Sequence, residues 1–254
     1  MRTFNHLRDA HFPNGYPDWI LQAIENLVEW YVKRTSERFD ISTMKTILDV
    51  GSLNGIESVK FTEKIPGCQV YTFEPNPISL NTVNISTAGI ENIHIEPIAA
   101  SNYNGKSKFF ITPGNMGASS ILPPISLPHK LGSVVNETTV DVVRLDDWCK
   151  SKNIESVDMM WIDAQGSEYA IFEGMGELLK NVKSIYVEGS MIPYYQGARH
   201  INDVIELLKK YNFDLVSETR HDEYEGDFMF LKNIGQPQEI SQYKNPQGID
   251  YIQK

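Results

Sequence analysis

Cysteine and positive charge are both scarce in this sequence, and each shortage excludes a class of protein. The 254 residues contain 2 cysteines, Cys68 and Cys149, too far apart in sequence for a disulfide framework or a cysteine metal cluster. Lysine and arginine number 23 against 33 acidic residues, a formal net charge of -10. Because nucleic-acid affinity comes largely from basic residues that neutralise phosphates, we expect no nucleic-acid partner.

Long apolar segments are also missing. No run approaches the ~20 apolar residues that a membrane-spanning helix needs, so we expect no transmembrane segment. The first ten residues lack the apolar core of a signal peptide. We therefore expect a cytoplasmic protein.

What the sequence does contain, from Thr46 onwards, is an alternation of short apolar runs and amphipathic segments. The runs are residues 46–50, 69–74, 93–98, 157–163, 184–189, 213–218 and 227–232, and helical spacing fills 55–65, 78–88, 168–182 and 201–211. Apolar strands that alternate with helices predict a parallel sheet covered on both faces. The last two runs leave no room for a crossover helix, so they should pair antiparallel. The prediction is an α/β, Rossmann-like fold with a seven-stranded, mostly parallel sheet whose last strand is antiparallel.

Three further segments frame this pattern. Residues 1–45 read as an N-terminal helical arm, residues 46–233 as the ligand-binding domain, and residues 234–254 as a polar C-terminal tail. An insertion at about 107–145 holds an irregular, almost uncharged loop, 113–136, between two strand-like stretches. A long irregular loop inside a compact domain is typical of a lid or a contact surface. The arm and this lid are candidate contact surfaces for a homo-oligomer.

The stretch 47–58 combines a strand end, a glycine turn and a helix start. Gly51, Asn54 and Gly55 permit the tight turn, and small residues let a ligand approach the N–H groups at the helix N-terminus. Glu74 ends the second strand, where an acid accepts hydrogen bonds from the ribose hydroxyls of an adenosine ligand. The turn has no Gly-x-Gly pair for a pyrophosphate, and Asp49 suits an ammonium group. These features favour S-adenosylmethionine over a nicotinamide dinucleotide; an ordinary turn and a solvated acid are the alternatives.

Several motifs taken together resemble the FkbM-type methyltransferases. They are LDVGSLNG (48–55), YTFEP (71–75), VRLDDW (143–148), WIDAQGSEYAIFEGM (161–175) and SIYVEG (184–189). The resemblance runs from about Thr46 to Asn233. It implies a class I, S-adenosylmethionine-dependent O-methyltransferase.

The resemblance also implies roles for individual residues. The methionine part would be surrounded by Asp49, Gly51, Asn54 and Gly55, the ribose held by Glu74, and the adenine lined by Ala99, Ala100 and Ser101. The lid residues Gly117, Ser119 and Ser120 resemble a Gly/Ser motif of the family. One position departs from the family pattern, because Gln165 stands where a glutamate is usual.

Methyl transfer to a hydroxyl requires alignment of the reactants and removal of the acceptor proton. Asp163, at the end of the fourth strand, is the first candidate for the general base or for a metal ligand; otherwise it orients the ammonium of the cofactor. Glu188 ends the neighbouring strand and, with Asp163, could bind Mg²⁺ or Mn²⁺. A metal requirement stays open at this point, since the spacing shows no third ligand.

The loop 191–200 follows Glu188 and should overhang the acceptor. Tyr194, Tyr195 and Arg199 could stack on and hydrogen-bond a sugar. His200 is an alternative base, because its charge changes near neutral pH, or it simply begins the next helix. His129 in the lid is a further histidine of interest.

These observations predict an O-methyltransferase that acts on a hydroxyl of a sugar, in a glycan or a glycosylated metabolite. One alternative is an O-methyltransferase of a polyketide or other small molecule. An alternative of another class is a non-catalytic module that binds an adenosine ligand, to which Gln165 points.

Overall fold

The computed structural model describes residues 16–125 and 135–235, and these form six α-helices and ten β-strands. The helices are α1 (Asp18–Ser36), α2 (Ile56–Lys64), α3 (Ser79–Thr87), α4 (Leu145–Ser151), α5 (Glu168–Met175) and α6 (Ile201–Lys210). The strands are β1 (Thr46–Val50), β2 (Gln69–Phe73), β3 (Ile93–Glu96), β4 (Ala99–Ser101), β5 (Gly105–Ile111), β6 (Asn136–Arg144), β7 (Met159–Ile162), β8 (Ser184–Ser190), β9 (Phe213–Arg220) and β10 (Glu225–Lys232). Every predicted run and segment corresponds to an element. The predicted helix 168–182 is shorter: α5 ends at Met175, and the next residue, Gly176, has a φ of +50° and begins a 3-10 helix.

The main sheet has seven strands in the order β3-β2-β1-β7-β8-β10-β9. The neighbours pair in parallel except β10, which is antiparallel to both β8 and β9. Only a four-residue turn, 221–224, separates β9 from β10, too short for a crossover. The predicted fold class, including the reversed last strand, is confirmed.

The insertion contains a second sheet rather than a loop alone. Its three strands lie in the order β4-β6-β5, with β4 parallel and β5 antiparallel to β6. The strand-like stretches on either side of the predicted lid are therefore partners of each other. Part of the lid, residues 126–134 with His129, lies outside the described residues, as do residues 1–15 and most of the predicted tail.

Helices cover both faces of the main sheet because successive strand residues point to opposite sides. Ile47 packs under α1 and α2, whereas its neighbour Leu48 packs under α4, α5 and α6. The α1 helix is part of the core: Tyr31 is fully buried and its hydroxyl donates to the Met160 carbonyl at 3.1 Å. In the described parts of the chain, no helix is long and apolar enough to cross a bilayer.

Candidate active site

A cavity opens at the carboxyl ends of β1, β2 and β7, between the main sheet and the small sheet. Such an edge is where open α/β sheets bind ligands. It is lined by Val50, Gly51, Leu53, Phe73, Glu74, Pro75, Ile98, Ala99, Ala100, Phe109, Met116, Gly117, Ser119, Ser120, Ile121, Asp163, Ala164, Gln165 and Ser167. We call it the donor cavity.

The glycine turn brings two strand ends into direct contact. Gly51 has a φ of +87°, and a Cβ built on it would lie 1.8 Å from the Asp163 carbonyl oxygen. Gly55 has a φ of +77° at the start of α2, and a Cβ there would lie 2.8 Å from the Ser86 Oγ. Both positions therefore require glycine, the first for close packing of strand ends and the second for the entry into the helix.

Gly51→Ala is expected to destabilise the protein strongly, because it combines a left-handed φ with a collision against backbone. The left-handed conformation costs roughly 1–2 kcal/mol and overpacking a further ~1–3 kcal/mol. Gly67→Ala is the matched control, since Gly67 has the same φ of +87° but no atom within 4 Å of the added Cβ. Denaturant unfolding should show a clearly larger loss for Gly51→Ala; equal losses would show that the strand ends can separate freely.

Asp49 and Asn54 support the turn from behind instead of lining the cavity. Asp49 is fully buried and accepts a hydrogen bond from the Ser58 hydroxyl, and burial raises the pKa of its carboxyl to about 6. The Asn54 Oδ1 accepts from the Ile56 N–H at 2.9 Å and caps α2. Neither is among the residues that line the donor cavity. Both side chains therefore support the turn behind the cavity wall, and their contact with a ligand stays a prediction.

Glu74 lies in the cavity wall and is held in place by backbone. One carboxylate oxygen accepts from the Leu53 N–H and the other from the Asn76 N–H, each at 2.7 Å. Burial raises the pKa of Glu74 to about 7. The predicted ribose acid thus faces the cavity in a fixed orientation, and each oxygen has a further lone pair for a ligand hydroxyl.

The other end of the donor cavity is apolar. Ala99 and Ala100 line it, together with Ile98 and two residues of the insertion, Phe109 and Met116. Ser101 instead lines a neighbouring groove with Tyr169 and Arg199. Phe109 and Met116 are not among the predicted site residues, because the sequence shows a strand-like apolar stretch at 108–112 but not that it folds over the cavity.

Gln165 bridges Asp163, the predicted base, and Glu188, the acid at the end of the neighbouring strand. Its Nε2 donates to Asp163 Oδ1 and to Glu188 Oε2, both at 2.7 Å. Burial raises the pKa of Asp163 to about 6, and burial beside Asp163 raises that of Glu188 well above its ordinary value. The amide thus lies between the two acids, the position that a divalent ion bound by both would take.

The loop that carries Gln165 is fixed from both sides. Glu168 accepts from the N–H groups of Ala164 at 3.1 Å and Gly166 at 3.0 Å. Gly166 has a φ of +96°, and a Cβ on it would lie 3.1 Å from the Tyr195 ring. The motif Asp-x-x-Gly-x-Glu is therefore a rigid turn that aims Asp163 and Gln165 at the cavity.

A second cavity adjoins the first on the far side of Asp163. It is lined by Asn115, Gly117, Ala118, Asp163, Gln165, Tyr194, Tyr195 and Glu225. The Tyr195 hydroxyl lies 2.9 Å from both the Ala118 carbonyl and the Gln165 Oε1. Three residues, Gly117, Asp163 and Gln165, belong to both cavities. We call this second space the acceptor cavity.

Comparison with known proteins gives the family. The family model described as the methyltransferase FkbM domain matches residues 49–215, more than half of the chain. The chain belongs to the FkbM methyltransferase family. It is a methyltransferase.

Individual relatives of this FkbM methyltransferase are distant. It is 28% identical over 180 residues to the 2-O-methyltransferase NoeI of Sinorhizobium fredii (strain NBRC 101917 / NGR234), covering 68% of this chain and 73% of the relative. Magnesium protoporphyrin IX methyltransferase from Synechocystis PCC 6803, solved with S-adenosylmethionine, overlaps with a TM-score of 0.44 at 11% identity, over 84% of this chain and 80% of that one. TrmK of M. capricolum, solved with S-adenosylhomocysteine, gives 0.45 at 14% identity, over 85% and 68%.

Two residues predicted for the FkbM methyltransferase's acceptor side lie outside both cavities. The Arg199 guanidinium lies 5.1 Å over the Tyr169 ring and 3.7 Å from Asp203. His200 is the N-cap of α6, where its Nδ1 accepts from the Asn202 N–H at 3.0 Å. His200 therefore begins the helix, which is the second of the two interpretations given for it above.

Glu225 lines the acceptor cavity but is not among the residues predicted from the sequence. It lies at the start of β10, which pairs with β8 so that Glu225 is opposite Ser190. The signal for it was present, since an antiparallel last strand must bring its first residues to the same sheet edge as Glu188.

Proposed function

We propose that this methyltransferase transfers the methyl group to a hydroxyl oxygen of a sugar. The observation that carries the proposal is the position of Asp163, in the wall that the donor and acceptor cavities share. An acceptor bound in the second cavity would meet the donor's methyl group beside this carboxyl. The position suits a group that takes the acceptor proton.

The chemistry needs little else from the protein. The sulfonium already activates the methyl group, so catalysis depends on aligning the acceptor oxygen, the methyl carbon and the sulfur, and on removing one proton. Asp163 would accept that proton at a carboxylate oxygen, while Gln165 holds Oδ1 in place.

The lining of the acceptor cavity supports a carbohydrate. Tyr194 and Tyr195 supply aromatic surface for the C–H faces of a sugar, and Asp163, Gln165 and Glu225 supply acceptors for its hydroxyls. The name of the related 2-O-methyltransferase from Sinorhizobium fredii supports oxygen as the acceptor atom. A polyketide alcohol is the second candidate, favoured by the buried tyrosines alone.

An acceptor panel with methyl-labelled S-adenosylmethionine tests the proposal. We expect mass spectrometry and NMR to show a methyl ether on free or glycan-bound sugars, and far less of this product with the Asp163→Asn variant. A methyl group on nitrogen or carbon would contradict oxygen transfer. Methylation of macrolide-type alcohols, with every sugar left unmodified, would favour the second candidate.

A further inference from the structure

Two carboxylates and one imidazole converge where the β9–β10 hairpin meets β8, next to Gln165 and Glu225, which line the acceptor cavity. One ligand atom from each of Glu188, His221 and Asp227 lies within 4.8 Å of the others. The antiparallel register sets Asp227 directly opposite Glu188, and the His221 N–H donates to the Glu225 carbonyl at 2.9 Å. Backbone pairing therefore builds this cluster, which we call the hairpin triad.

The charges of the hairpin triad are poorly balanced. Within residues 16–125 and 135–235, no lysine or arginine forms an ion pair with Glu188 or Asp227, and His221 is the basic group that contacts them. Its Nε2 lies 2.7 Å from Asp227 Oδ2, while its Nδ1 lies 3.9 Å from Glu188 Oε1. In the tautomer that donates to Asp227, the Nδ1 lone pair faces a carboxylate oxygen across a gap too long for a hydrogen bond.

That gap has the width of a metal site. Carboxylate and imidazole bonds to divalent cations are roughly 2.0–2.3 Å long, so two ligands of one cation lie roughly 3–4.5 Å apart. Gln165 occupies the other Glu188 oxygen, Oε2, and so leaves Oε1 on the side of His221. A cation between the two atoms would satisfy both.

An independent observation points to the same place. The Tyr186 hydroxyl is buried, with 4% of the residue exposed, and has no hydrogen-bond partner among the described residues. Burial and the neighbouring carboxylates of Asp227, Glu188 and Asp163 raise the pKa of this hydroxyl well above its ordinary value. A buried hydroxyl that faces the triad can donate to a water or hydroxyl ligand of a bound cation.

We propose that Glu188 Oε1 and His221 Nδ1 bind one divalent cation, while Asp227 holds the imidazole in place through its Nε2. Carboxylates suit Mg²⁺ and Mn²⁺, whereas imidazole suits later transition metals, so the mixed set favours Mn²⁺. Next to the residues of the acceptor cavity, the cation would hold acceptor oxygens beside Asp163. That role rests on the proposed function, but cation binding itself does not.

Mn²⁺ binding to the chelator-treated full chain, without donor or acceptor, tests the site. Electron paramagnetic resonance and calorimetry should give one Mn²⁺ per chain. Asp227→Asn and His221→Ala should each lower the Mn²⁺ affinity by more than ~10-fold. A loss of about this size is already seen when a residue that only hydrogen-bonds to a metal ligand is removed. The matched control is Glu218→Gln on β9, where Glu218 pairs with Arg220 outside the triad, and it should bind Mn²⁺ like the parent chain.

The stability of the fold and the affinity of the donor site are measured as controls on the same variants. Both triad variants should keep the melting temperature and the S-adenosylmethionine affinity of the parent, which separates a lost cation from a lost fold. Absence of stoichiometric Mn²⁺ binding, or binding that neither triad variant weakens, would overturn the proposal. Those results would leave methyl transfer to a sugar unaffected, because that is decided by the acceptor panel.

Discussion

Asp163→Asn is expected to lower kcat by roughly 10²–10⁴-fold while S-adenosylmethionine still binds, because loss of a general base has this magnitude. The asparagine is isosteric, and its Oδ1 can still accept from the Gln165 amide that now holds the carboxylate. What it cannot do is take a proton from the acceptor hydroxyl. Initial rates at saturating donor, with calorimetric donor affinity measured in parallel, separate the two effects.

The control for this experiment is Asp141→Asn. Asp141 is an exposed acid on β6 that pairs with Lys106, away from both cavities, so its loss should change neither rate nor affinity. Full activity in Asp163→Asn would remove Asp163 as the base. A large loss of donor affinity with an unchanged rate at saturation would show instead that Asp163 orients the cofactor.

The pH dependence of the methyl-transfer rate is a second test of Asp163 as the general base. Burial raises the pKa of Asp163 to about 6, and only the ionised carboxylate can accept a proton. The rate should therefore be high above this pKa and fall as the pH drops through it, in contrast to an unperturbed aspartate near ~4. In Asp163→Asn the remaining activity should lose this acidic limb; a limb that persists would belong to another group.

Glu74→Ala is expected to weaken S-adenosylmethionine binding by roughly 100-fold or more. A carboxylate that accepts from both ribose hydroxyls makes two charged hydrogen bonds, each contributing about 1.5–3 kcal/mol. Glu74→Gln should weaken binding less, since one amide oxygen still accepts and the amide nitrogen can donate. Calorimetry and the ligand-induced shift in melting temperature measure the loss.

Glu74 also holds the glycine turn, so the stability of the ligand-free protein must be measured alongside. Its Oε2 accepts from Leu53, a residue with a φ of +54°, and the turn should loosen when this bond is lost. Glu96→Ala is the matched control, because Glu96 ends the adjacent strand β3 but bonds Trp148 and Lys152 outside the cavity. Equal donor affinity in Glu74→Ala and Glu96→Ala would refute the ribose assignment.

The site residues that could be predicted are those whose positions follow from the order of strands and helices along the chain. Gly51, Glu74 and Asp163 each end a parallel strand, and parallel strands bring their carboxyl ends to one edge, so their proximity follows from the element pattern. Asp49 and Asn54 share that pattern, yet one faces Ser58 and the other caps α2. Spacing along the chain does not say which side of a turn a side chain faces.

The acceptor side depends on contacts between distant segments. Ile125 donates to the Tyr194 carbonyl at 2.7 Å, which joins the insertion to the loop after β8. Gln165, noted in the sequence only as a departure from the family pattern, donates to two acids from different strands. Such relationships involve orientation and packing, for which the linear sequence carries no periodic signal.

The α/β class, the reversed last strand and the donor edge of the sheet follow from the sequence, because apolar periodicity and turn residues act over short distances. Three features required the folded structure: the insertion forms a sheet over the donor cavity, His200 caps a helix, and His221 and Asp227 meet Glu188. These features depend on strand register and on which distant surfaces pack together, and neither is encoded in local periodicity. A shift of one residue in the β8–β10 register would turn Asp227 to the opposite face and remove the hairpin triad.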